Sequence, residues 1–161
     1  MARWKGTAVS KGKDDRPHLA AVVLVLLAAV GMASPAEAQT VGVRVGVSAD
    51  PNQFYFGGHL ETDPLVERLR FRPNAEIGIG DDRTVIALNF EFAYLFPSRG
   101  RWNLYAGAGP ALNIVDTARD TSAEGGFNVL IGGAHRDGLF VELKVGALDS
   151  PNLKFGVGFS F

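Results

Sequence analysis

The chain contains no cysteine, so a disulfide framework, a thiolate zinc centre and a thiol nucleophile are all excluded. Nor is there an excess of either charge: 16 basic and 17 acidic side chains leave a net charge of -1. A nucleic-acid partner, which would call for a concentrated basic face, is not expected. Long hydrophobic runs are scarce as well. The one candidate, Leu19 to Ala33, holds about 15 residues, short of the ~20 that cross a hydrocarbon core as a helix. Beyond it none remains, so the rest of the chain could enter a membrane only as a closed barrel, the other form that satisfies every backbone group in lipid.

What is present points to short strands. Hydrophobic residues make up 47% of the 161, and they come with 20 glycines and 11 phenylalanines, a composition suited to one all-β domain. The first 38 residues read as an export signal. Arg3, Lys5, Lys11, Lys13 and Arg16 form a basic leader, Leu19 to Val30 is apolar throughout, and Ala36-Glu37-Ala38 supplies the small-x-small cleavage pattern. The expected organisation is therefore a signal peptide over residues 1–38 and a β-barrel over 39–161.

Read at period two, residues 39–161 break into eight alternating segments divided by turn signals. Val41, Val43, Val45 and Val47 alternate with Gly42, Arg44 and Gly46. Phe54, Phe56 and Leu60 oppose Gln53, Tyr55, His59 and Glu61. The third segment sets Leu69, Phe71, Ala75, Ile77 and Ile79 against Arg70, Arg72, Asn74 and Glu76. The fourth, the clearest, sets Ile86, Leu88, Phe90, Phe92, Tyr94 and Phe96 against Ala87, Asn89, Glu91 and Ala93. In the fifth, Trp102, Leu104, Ala106, Ala108, Leu112 and Ile114 alternate with Asn103, Tyr105, Gly107, Gly109 and Asn113. A polar connection is expected from Asp116 to Glu124. The sixth segment then places Phe127, Val129 and Ile131 opposite Asn128, Leu130 and Gly132, with Leu130 breaking the pattern. In the seventh, Leu139, Val141, Leu143 and Val145 face away from Glu142 and Lys144, and the eighth opposes Leu153, Phe155, Val157, Phe159 and Phe161 to Lys154, Gly156, Gly158 and Ser160. Pro73 and Pro110 fall inside segments, where a missing donor calls for a bulge or an irregular end.

Alternation alone fits two barrels. A soluble lipocalin-like barrel would turn the apolar face inward around an apolar ligand, and a membrane barrel would turn it to lipid. Bulk decides for the second: the apolar face is large at nearly every position while the polar face is rich in glycine and alanine, and eight strands enclose little room. Gly107/Gly109 and Gly156/Gly158 are expected to make space for long inward chains such as Arg70, Arg72 and Tyr105. Aromatic residues also gather at one rim, with Tyr94, Phe96, Trp102, Phe159 and Phe161 in the manner of an interfacial girdle. The expectation is a closed antiparallel eight-stranded up-and-down transmembrane β-barrel.

The last strand, Lys154-Phe155-Gly156-Val157-Gly158-Phe159-Ser160-Phe161, alternates and finishes in a terminal aromatic. In this it resembles the small outer-membrane barrels of the OmpA-domain and OmpX type. The resemblance covers the layout of residues 39–161 and is specific only in that strand. It implies a cell outer membrane location, both termini in the periplasm, and recognition of Phe159 and Phe161 by the barrel assembly machinery. The presumed external loops are shorter than that family often has, which argues against a receptor or adhesin role.

The polar face carries Arg44, Glu61, Arg70, Arg72, Glu76, Glu91, Glu142, Lys144 and Lys154. Buried charges persist only when paired, so these are expected to form a salt-bridge network that plugs the lumen; the rival is a narrow ion path lined by the same side chains. His59, Asn89, Glu91 and Tyr105 could in principle form an acid-base cluster, but no nucleophile motif accompanies them, and Ser48, Ser98, Ser122, Ser150 and Ser160 lie in loops or at strand ends. No enzyme, cofactor or metal is expected. The connections on one side hold Asp50, Asp81, Asp82, Asp116, Asp120, Glu124 and Asp149 against Arg83 and Arg119, while the other side holds Arg68, Arg99, Arg101 and Arg136 among fewer acids. The acidic rim could share divalent cations with lipopolysaccharide phosphates. The expected partners are outer-membrane lipid, lipopolysaccharide and the assembly machinery, around a monomer.

Overall fold

The computed structural model describes residues 40–80 and 83–161; the leader expected over residues 1–38 lies outside the described residues. Eight strands follow one another: β1 Thr40–Ala49, β2 Gln53–Glu61, β3 Leu69–Ile79, β4 Arg83–Leu95, β5 Trp102–Thr117, β6 Thr121–His135, β7 Leu139–Leu148 and β8 Leu153–Ser160. Each pairs antiparallel with its neighbour in sequence. Closure comes from β1 against β8, with Gly42 opposite Ser160 and Ala49 opposite Leu153. No strand edge is left open, the condition for a sheet to sit in lipid.

Both ends of the described chain lie at one rim. The start of β1, the end of β8 and the β2–β3, β4–β5 and β6–β7 turns share this terminal rim, and the other four connections form the opposite mouth. Gly138 supports the β6–β7 turn with a left-handed φ of 100°, and its carbonyl accepts from the Ser160 amide at 2.9 Å. That contact ties the turn to the final strand.

The two faces separate by exposure, with Ile86 (1%) the exception on the apolar side. Val43 (53%), Val129 (54%) and Phe155 (51%) are open on the wall, whereas Arg44 (2%), Glu76 (1%) and Lys144 (1%) are shut inside. The apolar rows point outward, so the soluble alternative with an apolar ligand in its interior does not describe this barrel. The sixth segment has the register expected for it: Phe127, Val129 and Ile131 are exposed and Leu130 is buried. Leu130 is no slip, because it packs in the lumen with Ala93 and Tyr105.

Three expectations need correction. The polar connection from Asp116 to Glu124 is mostly strand, since β5 runs to Thr117 and β6 resumes at Thr121, leaving only residues 118–120 between them. Asp116 pairs with Thr121, whose Oγ1 donates to Asp116 Oδ1 at 2.7 Å, and Thr117 Oγ1 donates to the Asp120 carbonyl at 2.9 Å. A hairpin that extends past the apolar belt keeps its ladder without needing apolar residues, so hydropathy underestimates its length.

The prolines, second, produce no bulge. Pro73 stays in register opposite Phe90, and Pro110 opposite Phe127. The β4–β5 ladder is interrupted between Asn89–Ala111 and Phe92–Ala108 and resumes in the same register. Gly109 permits a close approach there, for a Cβ on it would collide with the Phe90 carbonyl oxygen.

Third, the glycines and the side chains they make room for pair differently than expected: Tyr105 is accommodated, but by Gly132, while Gly107 and Gly109 face the neighbouring backbone of β4 and no glycine gives way to Arg70 or Arg72. A Cβ at Gly156 would run into Tyr55 Oη, one at Gly158 into the Phe140 ring, and one at Gly132 into the Tyr105 ring. The aromatic rings are the bulkiest inward groups, so the empty positions sit opposite them rather than opposite the flexible arginines.

Because the wall faces outward, a charge placed near the middle of β6 should be costly. Val129→Arg is expected to weaken folding into phosphatidylcholine vesicles by ~2–4 kcal/mol, read from urea titrations of the tryptophan fluorescence of folded barrel. An unchanged midpoint would contradict the outward orientation of this row.

Candidate functional site: the charge network of the lumen

Period two puts one residue in every pair on the inside of a strand. On β1 this brings Arg44 inward, on β3 Arg72, Asn74 and Glu76, on β4 Asn89 and Glu91, on β7 Phe140, Glu142 and Lys144, and on β8 Lys154, all of them buried. Closure then carries side chains distant in sequence into one small volume.

The nine charged residues singled out from the sequence form one continuous chain of ion pairs. Arg44 Nη1 lies 3.3 Å from Glu76 Oε1 and 3.0 Å from Glu142 Oε1. Lys144 Nζ lies 3.3 Å from Glu76, 2.7 Å from Glu91 and 3.4 Å from Glu142. Lys154 is bonded to Glu76. Arg72 joins Glu142 at 3.3 Å and Glu61 at 3.1 Å, and Glu61 pairs in turn with Arg70. This last pair is the least buried, with Arg70 31% and Glu61 17% exposed, and it marks the terminal mouth.

Neutral donors and rings complete the packing. Tyr105 Oη donates to Glu142 at 2.9 Å, and Asn74 Nδ2 donates to Glu91 at 2.8 Å. An amide ladder continues from there: Asn89 donates to Asn74 at 2.7 Å and Asn128 to Asn89 at 2.8 Å. Lys154 Nζ sits 4.7 Å from the centre of the Tyr55 ring, Arg72 stands 4.7 Å over Tyr105, and Arg44 stands 5.4 Å over Phe140. Such cation–π contacts gain strength away from water. Phe140 is the largest inward residue that the sequence pattern left unassigned. Its signal was parity, since it stands two places before Glu142 in a strand whose even positions face the lumen.

Five cations share four carboxylates, and Glu76 and Glu142 each serve three of them. Arg44 Nε and Nη2 have no hydrogen-bond partner, and Arg72 Nε meets Glu61 off hydrogen-bond alignment. The lumen is thus dense in charge and rich in cation.

Its two mouths differ. Toward the mouth opposite the termini Gln53 donates to the Arg83 carbonyl at 3.3 Å, Ser48 to the Pro51 carbonyl at 2.8 Å and Asn113 to the Asp149 carbonyl at 2.8 Å. A recess of about 310 Å³ opens there among Asp50, Arg83, Glu124 and Asp149. At the terminal mouth a recess of about 220 Å³ is lined by Arg68, Arg70, Leu95 and Asn103. Between the mouths Arg44, Glu76, Glu142 and Lys144 are each at most 4% exposed.

The imagined acid-base cluster is not assembled. Asn89 binds Asn74 and Asn128, Glu91 binds Asn74 and Lys144, and Tyr105 binds Glu142. His59 Nε2 instead lies 3.1 Å from Ser160 Oγ, while its Nδ1 has no partner. A triad needs a third group to orient the imidazole through that nitrogen, and this pair lacks one. The acidic rim opposite the termini is likewise dispersed: no group of three or more His, Asp or Glu placed to hold a metal ion occurs among the described residues. Asp50 accepts from Asn152 at 2.6 Å and Asp116 from Thr121. Asp81 and Asp82 lie outside the described residues. Phe159 and Phe161 are exposed on the wall at the terminal rim, their ring centres 5.4 Å apart.

An outward apolar wall, a paired polar lumen and full closure define the class of the fold, the small transmembrane β-barrel. Among solved structures, Neisserial surface protein A (NspA) matches with a TM-score of 0.54 and 16% identity, over 76% of this chain and 96% of its own. The N-terminal β-barrel domain of Pseudomonas aeruginosa OprF matches at 0.54 and 14%, over 77% and 97%. A de novo designed transmembrane β-barrel matches at 0.54 and 15%, over 77% and 95%. At such identities the likeness is one of fold. No protein-family model and no curated protein matches the sequence.

Glu76 is where the network is most vulnerable. Glu76→Gln strips Arg44, Lys144 and Lys154 of a shared carboxylate, and removing one partner of a buried pair costs ~3–5 kcal/mol. Urea unfolding should register that loss, and adding Lys154→Met should recover part of it. Equal midpoints for all three proteins would mean that the pairs contribute nothing.

Proposed function

We propose that this protein is an integral outer-membrane barrel of structural or interacting role, without catalysis, whose lumen is plugged by its own ion pairs. The observation that carries the reading is the unbroken sequence of contacts from Arg70 through Glu61, Arg72, Glu142, Arg44 and Glu76 to Lys154, joined at Glu142 and Glu76 by Lys144 and continued through it to Glu91. Conduction through such a lumen would require ions to displace buried pairs, each of them stronger in a low dielectric than in water. An enzymatic reading lacks a nucleophile with an oriented base.

The outer-membrane address is supported by the likeness to NspA and to the OprF barrel domain and by the apolar wall. Both termini would lie in the periplasm, as in even-stranded barrels. Phe159 and Phe161 would be read by the assembly machinery, and lipopolysaccharide would surround the acidic mouth. With the wall clothed in lipid and the lumen closed, the barrel would work as a monomer.

Expressed with its leader in a Gram-negative host, the protein should fractionate with outer membranes and run faster on gels unboiled than boiled. Purified and added to planar bilayers, it should pass no steady current. Sustained single-channel steps would replace the plug with an ion path, and recovery in the soluble periplasmic fraction would remove the membrane assignment.

A further inference from the structure

The hairpin of β5 and β6 is covered on one side and bare on the other. β4 accompanies β5 to its last residue, with Arg83 opposite Thr117. β7 instead leaves β6 at Gly126, which stands opposite Leu148, and residues 121–125 have no strand on that side among the described residues. Two features account for the departure. Leu148 takes a left-handed φ of 59°, which turns the chain out of the sheet, and Asn113 Nδ2 donates to the Asp149 carbonyl at 2.8 Å, drawing the β7–β8 turn inward across the mouth. Ser150 then packs against Gly126, where an added Cβ would collide with its side chain.

The hydrogen bonds at the two ends of the hairpin fix which main-chain groups are left bare. The Thr117 amide donates to the Asp120 carbonyl at 2.9 Å, and the Arg136 amide to the Arg101 carbonyl at 3.0 Å. Bonded pairs of an antiparallel ladder recur at every second residue, so the even-numbered residues of β6 direct their amides and carbonyls to β5. The amides of Thr121, Ala123 and Gly125 and the carbonyls of Thr121 and Ala123 point the other way, and they meet no main-chain partner among the described residues. Lipid does not tolerate such groups, so this stretch stands in water. Its outward side chains are small and exposed, and a Cβ added to Gly125 would meet nothing within 4 Å. A bare, unshielded edge of this kind is a template for another strand.

Charge decides which strand. The hairpin and the foot of β7 carry Asp116, Asp120, Glu124 and Asp149 against Arg119, and Glu124 and Asp149 also line the recess of the mouth with Asp50 and Arg83. A second copy of the chain would set these carboxylates against themselves, which like charges on facing strands disfavour. A basic strand would meet the opposite sign.

We propose that residues 121–125 are a docking edge for an extended, basic peptide segment of another protein, which adds to β6 as an antiparallel strand in the place that β7 vacates. This rests on the interacting role proposed above and names the partner for it. Partner residues bonded to Thr121 and Ala123 turn their side chains outward, where the neighbours are small. The residues between them lie in line with Ser122 and Glu124 and reach over the recess, where lysine or arginine faces Glu124 and Asp149. Main-chain bonds then supply affinity and the alternate side chains selectivity.

The test is residue-resolved amide hydrogen exchange of the barrel in phosphatidylcholine nanodiscs, with a synthetic peptide of alternating lysine and valine as probe. In the free barrel the Thr121, Ala123 and Gly125 amides should exchange freely while those of Ser122 and Glu124 are protected, and saturating peptide should protect all of them. Ala123→Pro removes one edge amide without touching the β5 ladder, a position where proline is tolerated; it should keep the heat-modifiable gel shift and bind the peptide roughly ten-fold more weakly. Glu124→Gln and Asp149→Asn should each weaken binding about three-fold. Should Ala123→Pro fail to fold, the same peptide with its valine amides methylated decides the matter on the wild type, where it should protect nothing. No protection by the lysine peptide, equal protection by methylated peptide or by a peptide of alternating glutamate and valine, protection by added lipopolysaccharide alone, or protection without peptide that grows with barrel concentration would overturn the docking edge and leave the membrane barrel standing. Recovery of the barrel in the soluble fraction would instead overturn the membrane reading.

Discussion

A sheet placed in hydrocarbon must leave no backbone donor or acceptor unpaired, and here that requirement is met by the pairing of β1 with β8. Each unpaired amide facing lipid would cost several kcal/mol, so closure governs every other feature of the barrel. Once the ring is shut with eight strands, the interior is narrow, and alternate residues of every strand are committed to it. The wall and the lumen become two separate packing problems, solved by interleaved halves of one sequence.

The lumen is the harder of the two. Its inward positions hold charges that water would solvate well and that the interior solvates poorly, so each must find a partner in the protein. Glu76 and Glu142 do this for several cations at once, and Tyr105 and the asparagines supply further donors. Glycines facing Tyr55, Tyr105 and Phe140 keep the total volume within what the ring can hold. A buried network of this kind is weak evidence for stability in itself. It does give the lumen one preferred arrangement, because carboxylates that serve three cations cannot shift toward one without leaving the others.

The wall is less uniform than its apolar composition suggests. The two rims carry different charge, with four arginines nearly balanced by Asp63, Glu67 and Asp137 around the aromatic terminal rim and an excess of carboxylates around the opposite mouth. Between the rims the wall carries a shallow apolar groove bounded by Trp102, Leu104, Val141, Leu143 and Phe155.

The number of strands, their faces and most of their bounds could be read directly from the sequence, because period two is a local property and the requirement of lipid for apolar rows is strict. Thus Val43, Val129 and Phe155 could be placed outside, and Arg44, Glu76 and Lys144 inside, from residue order alone. Where lipid imposes nothing the reading failed: β5 and β6 pair on through Asp116 and Thr121, past the apolar belt, and Pro73 and Pro110 are absorbed without a bulge. The choice of partners was not legible either. Arg44 meets Glu142 across 98 positions of chain and Lys154 meets Glu76 across 78, and only the register around the closed ring decides which inward charge faces which. Alternation determined the side of the sheet for each residue; the stagger of eight strands determined its neighbours.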